Sequence, residues 1–373
     1  MQSDSMETFW SFLVSFWIDG VGIGQAPGQI FGRWHLERVN RLLHGTLQDF
    51  TYNHGKDRRI WSPALGQKRD LYVYLPPGYD PKKQYPLAIF LHGAAQDEEL
   101  FFQTQVRAFD QAIHEGRLMP SIIAAPNGSL KGKASLYRPA TFWANSRVGN
   151  FEDYVMHDVW NFLHDNYSIM PGREYHALIG PSMGGSASFA LGIKHRDRVK
   201  VAVAFMPLLN LRYVDSQGNY QGKYEPENWG YRSRVRNLEP LGRRKLFVLR
   251  FGTLYRPLFG LGNQALVGVS GINPVELMEA TNLKPGEMDL YVSYGGMDEF
   301  HIANQVESFL EVARKRGLEV QVDYDPLGKH NLASGKKALP AAIDWVQKKF
   351  RAMEEKAKPP RASFFQRKAL IAQ

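Results

Sequence analysis

The chain has 373 residues, 44% of them hydrophobic and 22% charged, a balance that suits one large folded domain and excludes wholesale disorder. It contains no cysteine, which excludes disulfides, thiolate metal sites and cysteine nucleophiles. The formal net charge is +9, and from Lys348 onward eight Lys and Arg residues stand against two Glu, so we assign the excess charge mainly to the C-terminal tail.

An apolar run of ten residues, Phe9 to Ile18, comes first along the chain. It is shorter than the roughly 20 residues needed to span a bilayer. Its upstream flank carries Asp4 and Glu7 and no small-residue cleavage pattern follows, so no secretory signal is predicted and a cytoplasmic location is favoured. Its helical spacing predicts an amphipathic helix that docks on its own domain or attaches to a membrane interface. Residues 1–55 are interpreted as an N-terminal extension.

From residue 56 to 357, strand-like and helix-like segments alternate, which predicts an α/β fold with a mostly parallel central sheet and helices on both faces. Several strand candidates are short and continuously apolar, as buried parallel strands require. The predicted strands are Arg59 to Trp61, Asp70 to Leu75, Leu87 to Leu91, Ile122 to Ala125, Tyr175 to Ile179, Val199 to Phe205, Leu246 to Phe251, Leu290 to Tyr294 and Leu318 to Tyr324. The predicted helices are Gln105 to Glu115, Phe151 to Asn166, Gly184 to His195, His301 to Arg316 and Leu339 to Ala357.

Two segments fall outside this alternation. The stretch 207–287 is rich in Gly, Pro, Tyr and Asn, and it includes a predicted hairpin, Tyr213 to Tyr224, that turns at Gln217-Gly218-Asn219. It is interpreted as an insertion or lid over the site, with a purely structural subdomain as the alternative. Residues 358–373 form a basic tail, which we expect to be solvated or docked on the surface. Peripheral membrane contact through this tail or the N-terminal helix is the alternative, and no nucleic-acid partner is expected.

The motif Gly180-Pro181-Ser182-Met183-Gly184 matches G-x-S-x-G. It lies where the apolar strand His176 to Ile179 gives way to a helix that starts with small residues, as a nucleophile elbow requires. The turn is so sharp that side chains at the two glycines would collide with neighbouring backbone, while the Ser182 hydroxyl projects at the strand end. Ser182 is therefore the predicted nucleophile.

The start of that helix also predicts an oxyanion site, because its free N–H groups and positive dipole end favour negative charge. The Met183 amide is one predicted donor. The second should come from the loop after the third strand, Leu91-His92-Gly93-Ala94-Ala95, where the Ala94 amide is the candidate. His92 in this loop is predicted to be structural, because the base must follow the final strand.

A serine hydroxyl needs a base to take its proton, and in this kind of site the acid and the histidine follow the serine in that order. His330 comes directly after the predicted strand Leu318 to Tyr324, so it is the predicted base. His301 is the rival, although we expect it to open a helix. The acid is Asp298 or Glu299. We favour Asp298 because it comes earlier in the turn, and we expect Glu299 to be a carboxylate at the helix N-terminus.

Four further motifs accompany these residues: Leu75-Pro76-Pro77-Gly78-Tyr79, Tyr85-Pro86 leading to Leu91-His92-Gly93, Phe151-Glu152-Asp153-Tyr154, and Ser182-Met183-Gly184-Gly185. On these motifs the chain resembles the putative-esterase family of α/β hydrolases over roughly residues 57 to 350. The family includes esterase D, S-formylglutathione hydrolases, feruloyl and acetylxylan esterases, and mycolyltransferases. The resemblance implies a triad of Ser182, Asp298 and His330, with oxyanion amides at Ala94 and Met183.

The chain departs from this family at Pro181, which replaces the bulky apolar residue common in the elbow, and in an enlarged 207–287 segment. The stretch 141–146 lies where feruloyl-esterase-like members contribute an aromatic pocket wall, and this resemblance implies an aryl or sugar ester. Trp143 and Gln96 are the candidate substrate-binding residues. The alternative is that the two aromatic residues of this stretch simply pack in the core.

No cofactor or metal is expected. Gly20-Val21-Gly22-Ile23-Gly24 lacks the G-x-G-x-x-G spacing, no phosphate-loop motif is present, and the histidines show no paired ligand spacing. The predicted function is a serine carboxylic-ester hydrolase that acts on a small-molecule ester through an acyl-serine. A thioesterase, acyltransferase or peptidase on the same site, or a non-catalytic scaffold, are the alternatives.

Overall fold

The computed structural model describes residues 29–136, 140–244 and 247–357. The predicted helix at Phe9 to Ile18 and the basic tail 358–373 lie outside the described residues. The strands are β1 (Thr46–Phe50), β2 (Ile60–Ser62), β3 (Gln67–Arg69), β4 (Leu71–Leu75), β5 (Leu87–Phe90), β6 (Ile122–Pro126), β7 (Asn145–Ser146), β8 (Gly149–Asn150), β9 (His176–Pro181), β10 (Val201–Phe205), β11 (Tyr213–Asp215), β12 (Trp229–Tyr231), β13 (Pro240–Arg244), β14 (Phe247–Arg250), β15 (Asp289–Gly295) and β16 (Val320–Asp325).

Helices connect most of these strands. The α-helices are α1 (Gln29–Asn40), α2 (Val106–His114), α3 (Phe151–Asp153), α4 (Trp160–Asn166), α5 (Met183–Lys194), α6 (Phe251–Phe259), α7 (Gly262–Ser270), α8 (Pro274–Ala280), α9 (Ile302–Lys315) and α10 (Leu332–Ala357), with π-helical turns at Phe101–Gln105 and Tyr154–Val159 and a 3-10 turn at Arg173–Tyr175. Among the described residues, no helix combines the length and the apolar character that a bilayer span needs.

Eight strands form the central sheet, in the order β1-β4-β6-β5-β9-β10-β15-β16. From β6 to β16 every neighbouring pair is parallel, while β4 runs antiparallel to both β6 and β1. The carboxyl ends of β5, β9, β15 and β16 therefore meet at one edge of the sheet, where loops from distant parts of the chain converge. The predicted α/β fold with a mostly parallel sheet is confirmed.

The sheet is buried on both faces, since alternate residues of one strand enter different hydrophobic layers. Leu71 and Val73 of β4 pack in one core cluster, and Tyr72 and Tyr74 pack in the other. The first layer also contains the interior faces of α5 and α9, and the second contains those of α2 and α10. Helices thus cover both faces of the sheet, as predicted.

The sheet begins at Thr46, within the segment predicted as an N-terminal extension and ahead of the boundary at residue 56. Strand β1 pairs antiparallel with β4, with Thr46 opposite Leu75. Its sequence, Thr-Leu-Gln-Asp-Phe, is short and half polar, because an edge strand has solvent on one side. That composition carries little strand signal, and β1 is recognisable mainly by its pairing with β4.

The predicted hairpin Tyr213 to Tyr224 is wrong. A turn does form at the expected place, where Asp215 Oδ1 accepts the amides of Gln217 and Asn219. However, β11 pairs antiparallel with β12, with Tyr213 opposite Tyr231. The Tyr220 side chain is buried and its hydroxyl donates to the Phe300 carbonyl at 2.7 Å, so the chain after the turn packs inward instead of pairing.

Candidate active site

Ser182 stands alone between the end of β9 and the start of α5. Its φ of 52° and ψ of −120° are unusual for a residue with a side chain. The Ser182 amide donates to the Phe205 carbonyl of the neighbouring strand β10 at 2.8 Å, which holds the strained residue in place. The elbow therefore presents the Ser182 hydroxyl at the carboxyl edge of the sheet.

Glycine is required on both sides of this serine. A Cβ on Gly184 would lie 1.8 Å from the Leu91 carbonyl oxygen, and a Cβ on Gly180 would lie 2.5 Å from the Gly184 carbonyl carbon. Both obstacles are backbone atoms, which cannot move aside as the end of a side chain can. The predicted steric reason for glycine at these two positions is confirmed.

Three predicted side chains converge at this edge. His330 Nε2 lies 2.9 Å from Ser182 Oγ, and His330 Nδ1 lies 2.8 Å from Asp298 Oδ2. The Asp298 side chain is buried, and its other oxygen accepts the Phe300 amide at 2.9 Å. The carboxylate is thus fixed on both oxygens, and it orients the imidazole towards the serine.

The neighbours of Asp298 have other contacts. Glu299 Oε2 accepts the His330 backbone amide at 3.1 Å, whereas helix α9 begins only at Ile302. The expectation that Glu299 is a helix N-terminal carboxylate is therefore wrong, because the chain turns once more before the helix starts. His301 directly precedes α9 with a left-handed φ of 55°, so it does open a helix as expected, and burial lowers its pKa.

His92 is a structural residue, as predicted. It is buried, its Nδ1 lies 2.8 Å from the Gly93 carbonyl oxygen, and its Nε2 accepts the Gly128 amide at 2.9 Å. These contacts assign the proton to Nδ1, since a carbonyl oxygen can only accept. Burial lowers the pKa of His92 to about 4, so the ring is neutral near pH 7 and braces the loop that follows it.

Ala94 and Met183 both line the cleft beside Ser182. Within the described part of the chain, neither backbone amide has a hydrogen-bond acceptor, so both N–H groups are available to a ligand. Gln96, a predicted substrate-binding residue, is half-buried beside this loop. Its Oε1 accepts the Gly93 amide at 2.9 Å, and a Cβ on Gly93 would lie 2.7 Å from that oxygen and 3.5 Å from Ser182 Cβ. It holds the Ala94 loop in shape because its side chain bonds back to the loop's own backbone.

Trp143, the other predicted substrate-binding residue, packs in the core. Its exposed fraction is 0%, its ring packs against Gly128, and its indole N–H donates to the His92 carbonyl at 3.2 Å. Phe142, the preceding residue, lines the cleft instead. Both residues have positive φ, near 50°, so the backbone turns sharply between them and sends the two rings to different places.

The cleft above Ser182 is narrow and is lined almost entirely by apolar side chains. Four of them, Leu208, Leu241, Leu249 and Leu254, come from the stretch 207–287, which we call the roof. Sequence reasoning missed these leucines. Apolar residues of a long irregular segment show no periodic pattern, and nothing in their spacing indicates that they face the serine. Phe300 and Ile302, which follow Asp298, complete the wall.

No set of three or more His, Cys, Asp or Glu side chains in the described residues is arranged to hold a metal ion. The groups that meet in the cleft are a serine hydroxyl, an imidazole and two backbone amides. A serine at a strand-to-helix elbow, in reach of a histidine oriented by a carboxylate and carried on a parallel sheet with helices on both faces, is the arrangement of α/β-hydrolase enzymes.

The sequence matches the family model Esterase, described as "Putative esterase", over residues 62–333, and the chain belongs to this family. Endo-1,4-beta-xylanase Y of Acetivibrio thermocellus is 30% identical over 160 residues, a match that covers 39% of this chain and 13% of that protein. The chain thus spans only a small part of that relative's length.

Solved structures share the fold. A ferulic acid esterase superimposes with a TM-score of 0.61 at 16% identity, covering 83% of this chain and 99% of that one. An S-formylglutathione hydrolase from Agrobacterium tumefaciens superimposes with a TM-score of 0.59 at 13% identity, covering 83% of this chain and 96% of that one. At these identities the likeness shows the α/β-hydrolase architecture.

Proposed function

We propose that the protein hydrolyses carboxylic esters through an acyl-serine intermediate, with Ser182 as nucleophile, His330 as general base and Asp298 as the acid that orients the imidazole. The hydrogen-bonded chain from Ser182 Oγ through His330 to Asp298, at 2.9 and 2.8 Å, carries this proposal. Hydrogen-bond distances of this length permit direct proton transfer between hydroxyl and imidazole.

In the first half-reaction, Ser182 Oγ attacks the ester carbonyl carbon and its proton passes to His330 Nε2. The imidazolium that forms lies beside the Asp298 carboxylate, which stabilises its charge. When the tetrahedral intermediate collapses, His330 returns the proton to the leaving alcohol and the acyl group stays on Ser182. Water then attacks the acyl-serine with His330 again as base, and the acid product and free serine result.

Negative charge develops on the substrate carbonyl oxygen during both attacks. We assign its stabilisation to the amides of Ala94 and Met183, which lie on either side of Ser182 and have no acceptor among the described residues. The Met183 amide also belongs to the first turn of α5, so the helix dipole adds to the favourable field. His92 and Gln96 act indirectly, because they hold the loop that carries Ala94.

The lining of the cleft favours an apolar acyl group, either aromatic or aliphatic. Phe142, Phe300 and Leu254 offer it ring faces and methyl groups, and a sugar would find few polar partners among the lining residues. We therefore place the acyl group in the cleft and the alcohol, which is aryl or carbohydrate, towards the opening. The ferulic acid esterases among the structural relatives support an aryl acyl group.

The test of the nucleophile is a burst assay with p-nitrophenyl acetate. The protein should release p-nitrophenol in a burst equal to one acyl group per chain, and Ser182→Ala should abolish the burst and lower kcat by about 10⁴-fold or more. Ser146→Ala is the matched control, since this serine does not line the cleft, and it should keep the burst. Absence of a burst in the unchanged protein, with no turnover, would indicate a non-catalytic scaffold.

The acyl group is tested with a panel of methyl feruloate, p-nitrophenyl esters of increasing chain length, an acetylated sugar and a thioester. We expect kcat/KM to be highest for a feruloyl or medium-length aliphatic acyl group. A preference for the acetylated sugar would contradict the placement of the acyl group in the apolar cleft, while leaving the acyl-serine mechanism intact.

A further inference from the structure

One part of the roof, residues 229–273, is strongly basic, although the whole roof, residues 207–287, has eleven Lys and Arg residues against seven Asp and Glu residues. Between residues 229 and 273 the sequence has eight Lys and Arg residues and a single acidic residue, Glu239, in a chain whose net charge is +9. The assignment of the excess charge mainly to the C-terminal tail therefore misses a second basic segment. This one lies directly over the cleft, because Leu241, Leu249 and Leu254 line it.

Three of these cations are exposed and unpaired. Arg234 and Arg236 precede β13, Arg256 lies on α6, and none of the three forms a salt bridge with a residue in the described ranges. Glu239 does not neutralise them, since it accepts from the buried guanidinium of Arg232 at 3.0 Å. The exposed charge on this face is thus net positive.

Large aliphatic side chains are exposed on the same stretch of chain. Leu238 is 77% exposed, Val267 is 75% exposed and Leu261 is 52% exposed. One exposed leucine is common on any protein surface, and together these three add apolar area that water covers at a cost. Other leucines of the same segment, by contrast, line the cleft and are buried.

The elements that carry these residues are neighbours in the fold. The Arg250 guanidinium donates to the Leu238 carbonyl, which ties the loop before β13 to β14. Helix α6 follows β14 directly, with Leu254 facing the cleft and Arg256 facing out. Helix α7, which carries Val267, packs on α6, since a Cβ on Gly268 would lie 2.3 Å from the Phe259 ring.

We propose that the outer face of the roof, formed by Arg234, Arg236, Leu238, Arg256, Leu261 and Val267, docks on an anionic lipid surface. Arginines attract the headgroups of anionic lipids, and the aliphatic tips enter the boundary between headgroups and acyl chains. Exposed positive charge together with exposed aliphatic groups suits a planar anionic interface.

Two other anionic partners fit the surface less well. A small anionic substrate bound in the cleft would not meet these arginines, because they are exposed and no Lys or Arg of the described residues lines the cleft. A nucleic acid would use the cations, but its bases stack on aromatic side chains, and the large exposed residues of this face are Leu and Val. The exposed aliphatic side chains therefore favour a lipid surface over a nucleic acid.

Co-sedimentation of the full chain with vesicles tests the proposal. Vesicles of phosphatidylcholine mixed with phosphatidylglycerol should bind the protein, and vesicles of phosphatidylcholine alone should bind it much less. The variant R234Q/R236Q/R256Q should lower the partition coefficient on the mixed vesicles by about a hundredfold, which corresponds to about 3 kcal/mol for three cations. The variant L238Q/V267Q should also weaken binding, and by a factor that salt does not change.

The matched control is R41Q/R107Q/R314Q, which removes the same charge from exposed arginines outside the roof and should bind vesicles as the unchanged protein does. Ser182→Ala should also bind normally, so docking and catalysis can fail independently. A second arm neutralises the tail with K358Q/R361Q/R367Q/K368Q.

Three results would overturn the proposal: no binding to the mixed vesicles, equal losses in the roof variant and its charge-matched control, or loss in the tail variant alone. Duplex DNA, measured by fluorescence anisotropy, is the remaining arm. If the unchanged protein binds DNA through the roof arginines and does not bind vesicles, the partner is a nucleic acid and the lipid proposal falls.

Discussion

The cleft lies between a floor, which we define as the strand ends that carry Ser182, Asp298 and His330, and the roof, and the two are built differently. The floor consists of residues at the ends of parallel strands, where Ser182 is held by its bond to Phe205 and by backbone contacts around Gly184. The roof consists of short strand pairs and helices outside the central sheet, and its leucines line the cleft. A rigid floor suits chemistry that requires distances near 3 Å, whereas an aliphatic roof can vary without disturbing them.

This difference predicts that conservative changes in the floor abolish activity while changes in the roof alter selectivity. The most severe should be Asp298→Asn, which keeps the size of the side chain but leaves the imidazole without its carboxylate. We expect kcat to fall by about 10⁴-fold with folding intact. Glu299→Gln is the matched comparison, because its side chain still accepts the His330 amide, and it should lower kcat by less than about tenfold. Similar losses in both variants would contradict the assignment of Asp298.

The next effect concerns the packing that supports the floor. Gly184→Ala places a methyl group against the Leu91 carbonyl oxygen, so we expect the free energy of unfolding to fall by about 3 kcal/mol, with loss of the elbow geometry. Urea unfolding measures it. Gly335→Ala in α10 is the control, since its nearest neighbour, the end of the Met206 side chain, is 3.6 Å away, and helix propensity predicts a gain of about 0.5–1 kcal/mol there.

His92 is a buried histidine that supports the loop carrying Ala94, and it makes the stability of the folded protein depend on pH. Because the pKa of His92 is lowered to about 4 in the folded protein, the unfolded chain binds a proton that the folded protein does not between that value and about 6.5. Its contribution to stability is therefore complete above about pH 6.5 and decreases as the pH falls to about 4. From pH 7 to pH 5, unfolding experiments should show a loss of about 2 kcal/mol from this residue.

The matched variant is His92→Gln, which removes the titrating group and can still accept the Gly128 amide. The difference in unfolding free energy between the unchanged protein and this variant should change with pH by the amount stated. Comparison of the two proteins cancels opposing groups such as Asp97, whose pKa burial raises to about 6. A difference that is constant with pH would contradict a neutral, buried His92.

The smallest effect belongs to the roof. Leu241→Ala should enlarge the cleft, so kcat/KM for longer acyl esters should rise relative to acetate by about tenfold, while the burst with p-nitrophenyl acetate remains. Leu277→Ala in α8 is a buried leucine that does not line the cleft, and it should leave this ratio unchanged. If Leu241→Ala removes activity on all esters alike, the roof is part of the catalytic apparatus and the contrast between the two walls is lost.

Sequence analysis predicted the residues of the floor one by one, whereas for the roof it predicted only the segment, 207–287, and none of the leucines that line the cleft. Ser182, Asp298 and His330 each follow a strand, and parallel strands bring their carboxyl ends to one edge, so order along the chain indicated that they meet. Phe142 and Trp143 are adjacent aromatic residues, and either could contact a substrate. The backbone turn between them buries Trp143 in the core and places Phe142 at the cleft. No pattern in the sequence distinguishes the two.

Local sequence determines three features of the site: the strand ends, the glycines of the elbow, and the order of serine, carboxylate and histidine. It can do so because backbone sterics act between near neighbours and strand direction repeats along the sheet. The position of β1 at the sheet edge, the pairing of β11 with β12 and the choice of leucines over Ser182 were decided only when the chain folded. Many apolar side chains of similar size could fill the same space in the core, and which of them does so depends on contacts between residues far apart in sequence.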